Sequence, residues 1–318
     1  MGVQVAVVMD PIGHIKIGKD STFAMLLEAQ RRGHRLHYVQ PGSLGIAEGR
    51  AVARLAPLQV RDDPADWHTL GEATTTALGT LDTILMRRDP PVDADFWHDT
   101  QILALAQREG ALLVNDPAGL LELNEKLAAL LFPQCCPPTR ITRNPSELRA
   151  FVEAMGEAVL KPLDGMGGRS IFKAAANDPN LNVILETLTA GGTQLALAQR
   201  YLPEISDGDK RILLVDGEPV QYCLARIPQG SDFRGNLAAG GRGEARPLTE
   251  RDRWIAAQVG PELRRRGMLF VGLDVIGDWL TEVNVTSPTC IREIDTAYGL
   301  NIAGQLFDAI EARLATRG

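Results

Sequence analysis

Residues 269–285, LFVGLDVIGDWLTEVNV, contain two apolar runs divided by Gly277-Asp278. A Gly-Asp pair between two such runs signals a tight antiparallel hairpin, because few other residues tolerate the positive φ of the turn. The second run alternates Leu280, Thr281, Glu282, Val283, Asn284 and Val285. Side chains two apart on a strand share a face, so Glu282 and Asn284 point the same way, with Asp274 on the neighbouring strand. The flanking Leu273, Val275, Val283 and Val285 make the setting apolar, and a carboxylate there needs a partner. Two carboxylates and an amide oxygen form a donor set for magnesium, which takes oxygen ligands and is normally shared with substrate phosphates. The competing interpretation is a polar sheet face turned to solvent.

Other segments carry matching chemistry. Asp216-Gly217, between 211–215 and 220–227, marks a second hairpin. Residues 161–170, KPLDGMGGRS, read as a strand ending in a lysine and followed by a glycine turn. Backbone N–H groups of such a turn approach phosphate oxygens closely, and the lysine adds a point charge. An ordinary tight hairpin fits the same residues. The G-x-G-x-x-G dinucleotide spacing is missing. Residues 228–243, PQGSDFRGNLAAGGRG, hold five glycines and two arginines with little periodicity, as expected of a mobile lid. Lys126, Lys210, Arg211, Arg226 and Arg292 supply the positive charge that phosphoryl transfer and carboxylate binding require.

Near the N-terminus, Gly13 to Asp20, GHIKIGKD, mimics the phosphate-loop spacing, but Asp20 stands where a magnesium-binding hydroxyl is needed. We take it as a false match. The first third predicts strands at 3–9, 35–39, 83–86 and 112–114 and helices at 20–33, 93–109 and 117–132, which together make a parallel doubly wound sheet. After Pro137-Pro138 the pattern changes to a strand at 139–142, a helix after Asn144-Pro145 and a strand at 158–161. Helices follow at 249–266 and 301–314. At 318 residues the chain exceeds one core, so two or three subdomains with a cleft between them are expected.

The net charge of -7 argues against nucleic-acid or anionic-membrane binding. Arg264-Arg265-Arg266 read as a solvated helix end. No apolar stretch approaches the roughly 18 residues of a membrane span, and the chain opens on a strand pattern without signal-peptide character, so a cytoplasmic location is expected. Cys135, Cys136, Cys223 and Cys290 show neither zinc spacing nor a disulfide framework. A redox role for Cys135-Cys136 lacks the two-residue spacer of a CxxC turn.

The segments KPLDGMGG, LARIPQG, GNLAAGGRGE and LTEVNVTSPTCIREI, with the early VVMDPI and DPP, resemble the bacterial glutathione synthetase family in order and over nearly the whole length. The resemblance implies the ATP-grasp fold, a mixture of α/β and α+β. It has a parallel α/β domain over 1–122, a central lid domain over 123–200 and an antiparallel catalytic domain over 201–318. Lys126, Lys161, Gly165, Met166, Gly167, Gly168 and Ser170 resemble ATP-phosphate contacts. Gln199, Arg200, Tyr201 and Leu202 resemble the adenine hinge, with Asp209 also on the nucleotide. Asp274, Glu282 and Asn284 are similar to the magnesium ligands, with manganese as a substitute. Arg211, Arg226, Arg234 and Arg242 resemble catalytic arginines. Arg87, Asp89, Ser287, Thr289 and Arg292 resemble substrate-binding positions. The implied reaction is ATP-dependent ligation of γ-glutamylcysteine and glycine through an acyl-phosphate, by a homo-oligomer, a tetramer by resemblance. Alternatives are another carboxylate–amine ligase acting on a dipeptide or peptide tail, a nucleotide-binding regulator without turnover, and a thiol-redox protein.

Overall fold

The apolar runs of the first 114 residues meet in one sheet of the computed structural model, which describes residues 2–317 apart from Met166, Ser231, Phe233, Asn236, Ala238 and Ala239. Its strands are β1 (Gln4–Val8), β2 (Arg35–Val39), β3 (Gly45–Ala47), β4 (Arg50–Val60), β5 (His68–Leu70), β6 (Thr74–Ala77), β7 (Thr83–Met86) and β8 (Leu112–Val114). The order is β3-β4-β2-β1-β7-β8, with β5 and β6 pairing with β4. The four expected strands are mutually parallel. The sheet as a whole is mixed, because β4 pairs antiparallel with β2, β3, β5 and β6. The purely parallel expectation is corrected there. Strand β4, RAVARLAPLQV, is alanine-rich and contains Pro57, and both weaken the local strand signal.

Helices α1 (Ser21–Arg31) and α2 (Ala94–Arg108) begin at Asp20 and Asp93, whose carboxylates accept from Phe23 N and Phe96 N. The helix expected over 117–132 is two: α3 (Pro117–Glu122) and α4 (Glu125–Ala129). Asn124 makes the break, its Oδ1 accepting from Lys126 N at 3.0 Å and Leu127 N at 3.2 Å. This new helix start turns Lys126 inward.

The central sheet is antiparallel, ordered β11-β10-β12-β9, from β9 (Thr139–Thr142), β10 (Glu157–Pro162), β11 (Phe172–Ala175) and β12 (Ala196–Arg200). With α5 (Pro145–Met155) and α6 (Leu181–Thr189) it encloses its own core around Leu148, Val152, Leu160, Leu185 and Ala198.

The third sheet, ordered β15-β14-β13-β16-β17, comprises β13 (Asp209–Val215), β14 (Glu218–Ile227), β15 (Arg242–Pro247), β16 (Phe270–Ile276) and β17 (Trp279–Asn284), all antiparallel. Both anticipated turns are present, with Asp216 at φ 49°, Gly217 at φ 82° and Gly277 at φ 56°. Helix α7 (Glu250–Arg265) starts in a capping box of Thr249 and Asp252. Helix α8 (Ile291–Tyr298), which the periodicity did not announce, precedes α9 (Ile302–Ala315). Residues of the first and third sheets share two hydrophobic clusters, whereas the central sheet shares neither. The cleft therefore lies where core continuity stops. No described helix is long and apolar enough to cross a membrane.

Candidate active site

Strand register sets the floor of a cavity of about 320 Å³ between the central and third sheets. Arg211 of β13 faces Asp274 of β16, and Asp274 faces Glu282 of β17, so three charged residues form one row across adjacent strands. Asp209 and Arg226 form the neighbouring pair of β13 and β14. Arg211 Nε reaches Asp274 Oδ1 at 2.6 Å, and Arg226 NH2 reaches Asp274 Oδ2 at 2.9 Å while also pairing with Asp209. Burial raises the Asp274 carboxyl, but the two guanidinium charges outweigh it and hold the group below the usual range.

From the opposite wall, Lys161 Nζ at the end of β10 lies 3.1 Å from Glu282 Oε1, and Lys126 Nζ lies 3.9 Å from the same oxygen. Burial again raises this carboxyl, and the two lysines reverse the shift. Lys126 also pairs with Glu125 and donates to Leu163 O and Gly165 O, both at 3.3 Å. Glu125 lines the cavity and is raised, first by burial and then by the Glu282 charge. The sequence reading overlooked it, although it directly follows the capping Asn124.

The glycine turn is a hairpin that also faces the cavity. It joins β10 to β11 as a hairpin connection, and Gly165, Gly167 and Gly168 line the cavity with φ of 134°, 66° and 80°. Met166 lies outside the described residues, and Ser170 does not line the cavity. Gln199, Arg200, Tyr201 and Leu202 form another wall beside Val159, Ile171, Ile205 and Ile276. Asp209 Oδ1 is buried in the cavity with no hydrogen-bond partner among the described residues, and burial raises its carboxyl. Arg234 lines the mouth and donates from NH1 to Gly168 O at 2.8 Å, so the long loop meets the glycine turn.

Asp89, Ser287 and Thr289 line the far end. Arg87 lies buried beside them, donating to Thr22 Oγ1 at 3.1 Å and Pro288 O at 2.9 Å. Burial lowers its pKa to about 10, against the pull of Asp20 and Asp89. Two other expected site residues are not brought in. Arg292 pairs with Asp62 at 2.8 Å, and Arg242 sits exposed on β15, paired with Glu244 at 3.0 Å. Lys210 likewise points away, to buried Asp252 and Gly277 O. The 13–20 segment does not line the cavity. Cys135 and Cys136 are buried, and burial raises both thiols, that of Cys136 to about 12, which disfavours the reactive thiolate.

Among the described residues no three His, Cys, Asp or Glu side chains cluster to hold an ion. Asp274 and Glu282 face each other across β16 and β17, and Asn284 lies two residues along on the same strand face as Glu282; with their present cation partners exchanged for phosphate oxygens, these donors fit a hard cation.

Two sheets gripping a polar, cation-rich cleft define the ATP-grasp class. A crystal structure of D-cycloserine synthetase superposes with a TM-score of 0.66 at 13% identity, covering 98% of this chain and 99% of that one. A RimK-domain ATP-grasp protein from Sphaerobacter thermophilus gives 0.60 at 19%, covering 96% and 98%. The family models for the prokaryotic glutathione synthetase N-terminal domain and ATP-grasp domain match residues 3–120 and 125–299. Glutathione synthetase of Xanthomonas campestris pv. campestris is 73% identical over 99% of this chain and 100% of its own length. That of Pseudomonas putida is 61% identical over the whole of both chains. The chain belongs to the prokaryotic glutathione synthetase family, whose members are ATP-using ligases.

Proposed function

We propose that this chain ligates γ-glutamylcysteine to glycine, with the charged row Arg211–Asp274–Glu282 beneath Lys126 and Lys161 as the centre of the reaction. That row, in a chain so similar to glutathione synthetases, carries the reading. Lys126, Lys161 and the backbone of 165–168 take the ATP phosphates. The wall of Val159, Leu202 and Ile276 beside Gln199 to Leu202 suits a purine ring, and the unpartnered Asp209 Oδ1 suits a nucleotide donor. Asp274, Glu282 and Asn284 are the residues to hold magnesium, or manganese in its place; when bound, the ion neutralises phosphate charge.

The cysteinyl carboxylate attacks the γ-phosphorus and ADP leaves. The glycine amine, after losing a proton, attacks the acyl carbon, and phosphate leaves. Arg211 and Arg226 stabilise charge on the transferred group. The lid read over 228–243, whose last two residues begin β15 and of which 231, 233, 236, 238 and 239 lie outside the described residues, excludes water together with the glycine turn; water would hydrolyse the acyl-phosphate and weaken each charge contact. Arg87, Asp89, Ser287 and Thr289 bind the dipeptide. Arg234 serves the lid, while Arg242 and Arg292 stand farther out. The reading keeps the three domains 1–122, 123–200 and 201–318, supported by the separate core of the central sheet. It also includes a homo-oligomer, a tetramer, in the cytoplasm, on family resemblance. ADP release measured with each substrate omitted tests it: turnover that ignores γ-glutamylcysteine or glycine overturns the reading.

A further inference from the structure

Asn115 follows β8 and is 3% exposed. Its Nδ2 donates to Phe270 O and Val285 O, both at 2.7 Å, and its Oδ1 accepts from Phe270 N at 2.8 Å. Phe270 opens β16, and Val285 is the first residue past β17. The ladder between those strands stops at Gly272 and Asn284, so the amide side chain bonds the backbone where the next rung would form. Removing it strands buried backbone groups without partners, which costs more than the bonds themselves contribute.

The chain leaving this clamp forms the far wall of the cavity through Thr286, Ser287, Pro288 and Thr289. Other ties also come from the N-terminal domain. Arg87, at the end of β7, donates to Pro288 O at 2.9 Å, and Ile291 N donates to Ser21 Oγ, at the start of α1, at 3.1 Å. Arg87 lies over the Phe270 ring at 5.7 Å from its centroid. Pro288 packs on Gly272, where an added Cβ would come 2.9 Å from the proline Cβ. The side chains that tie the wall from the N-terminal half, Asn115, Arg87 and Ser21, do not line the cavity, whereas the nucleotide side is built mainly on β10, β12 and the glycine turn.

We propose that Asn115 is a positioning residue that sets the 285–289 wall and thereby the fit of the dipeptide substrate. This rests on the assignment of Ser287 and Thr289 to that substrate. The β16–β17 pairs from Gly272 and Asn284 onward keep their own backbone bonds, so nucleotide binding is spared.

Steady-state kinetics on the full-length enzyme with ATP, γ-glutamylcysteine and glycine provide the test. Asn115→Ala is expected to raise the γ-glutamylcysteine KM about tenfold while the ATP KM stays within about twofold. Asn115→Asp places a carboxylate against two carbonyl oxygens and is expected to be worse than alanine near pH 8. It recovers toward the alanine value as pH falls and the carboxyl regains a donor, each measurement taken relative to wild type. Ser21→Ala, a milder change that keeps the assay informative if the Asn115 variants fold poorly, is expected to raise the same KM about threefold. Equal rises in both KM values, or no change in the dipeptide KM with Asn115→Ala and Ser21→Ala, overturn the inference. Ser287→Ala separates it from its premise: if that variant leaves the dipeptide KM unchanged, the substrate assignment fails; if it raises the KM while Asn115→Ala and Ser21→Ala do not, only the role of Asn115 fails.

Discussion

The floor and the cover of the cavity are built of different materials. On the floor, Asp209, Arg211, Arg226 and Asp274 are each 9% exposed or less and bind one another through side chains. On the cover, glycines at positive φ present backbone, and the sheet behind them has a hydrophobic core shared with neither neighbour. Charges that must stabilise a transition state work best when fixed beforehand in a dry setting. A wall that admits and releases ligands has the opposite need, and an independent core lets it shift without opening the rest of the molecule. Changes on the floor are therefore expected to move activity and stability together, and changes on the cover to move binding with little effect on the global fold.

The strongest challenge to this contrast is Asp274→Asn. Two buried guanidinium groups lose their shared carboxylate, and kcat is expected to fall at least about a thousandfold with a stability loss of about 3–5 kcal/mol, read by ADP release and urea unfolding. A variant that loses activity at unchanged stability would show that the floor is not preorganised by its own ion pairs. On the cover, Gly165→Ala forces a side chain onto a φ of 134° and is expected to raise the ATP KM about tenfold, with the unfolding midpoint barely moved.

Metal binding probes both walls at once. Asp274 and Glu282 are already engaged by Arg211, Arg226 and Lys161, so under the proposed assignment Mn2+ alone has to displace cations from these carboxylates. Calorimetry is expected to show Mn2+ binding at least about tenfold tighter with a non-hydrolysable ATP analogue, whose phosphates take over the cations. Lys161→Met should shrink that gap, tightening Mn2+ alone and weakening the nucleotide. At the rim, exposed Arg242 pairs with Glu244 at 3.0 Å, and Arg242→Ala is expected to change kcat/KM by no more than about threefold. A larger loss would move Arg242 from the rim into the reaction.

Much of the floor was legible before any tertiary structure. Gly277-Asp278 and Asp216-Gly217 marked turns that exist, and period-two alternation put Glu282 and Asn284 on one face opposite Asp274. These are local rules, acting over a few residues. The motif order likewise carried the family, which no single strand pattern could have supplied.

Tertiary structure decided what lies beyond that range. Lys161 reaches Glu282 across 121 residues, and Asn115 reaches Val285 across 170. It also sent Lys210 to Asp252, Arg292 to Asp62 and Arg242 to the rim, although each looked as suitable a site cation as Arg211. Strand β4 escaped notice because its alanines and Pro57 weaken its pattern, and its pairing with β2 supplies what that pattern lacks. The residues determine which chemistry the chain possesses and, by periodicity, which side chains share a face. Which charges become partners depends on packing between elements far apart in sequence, because a charge's energy is set by its neighbours and its burial, not by its own identity.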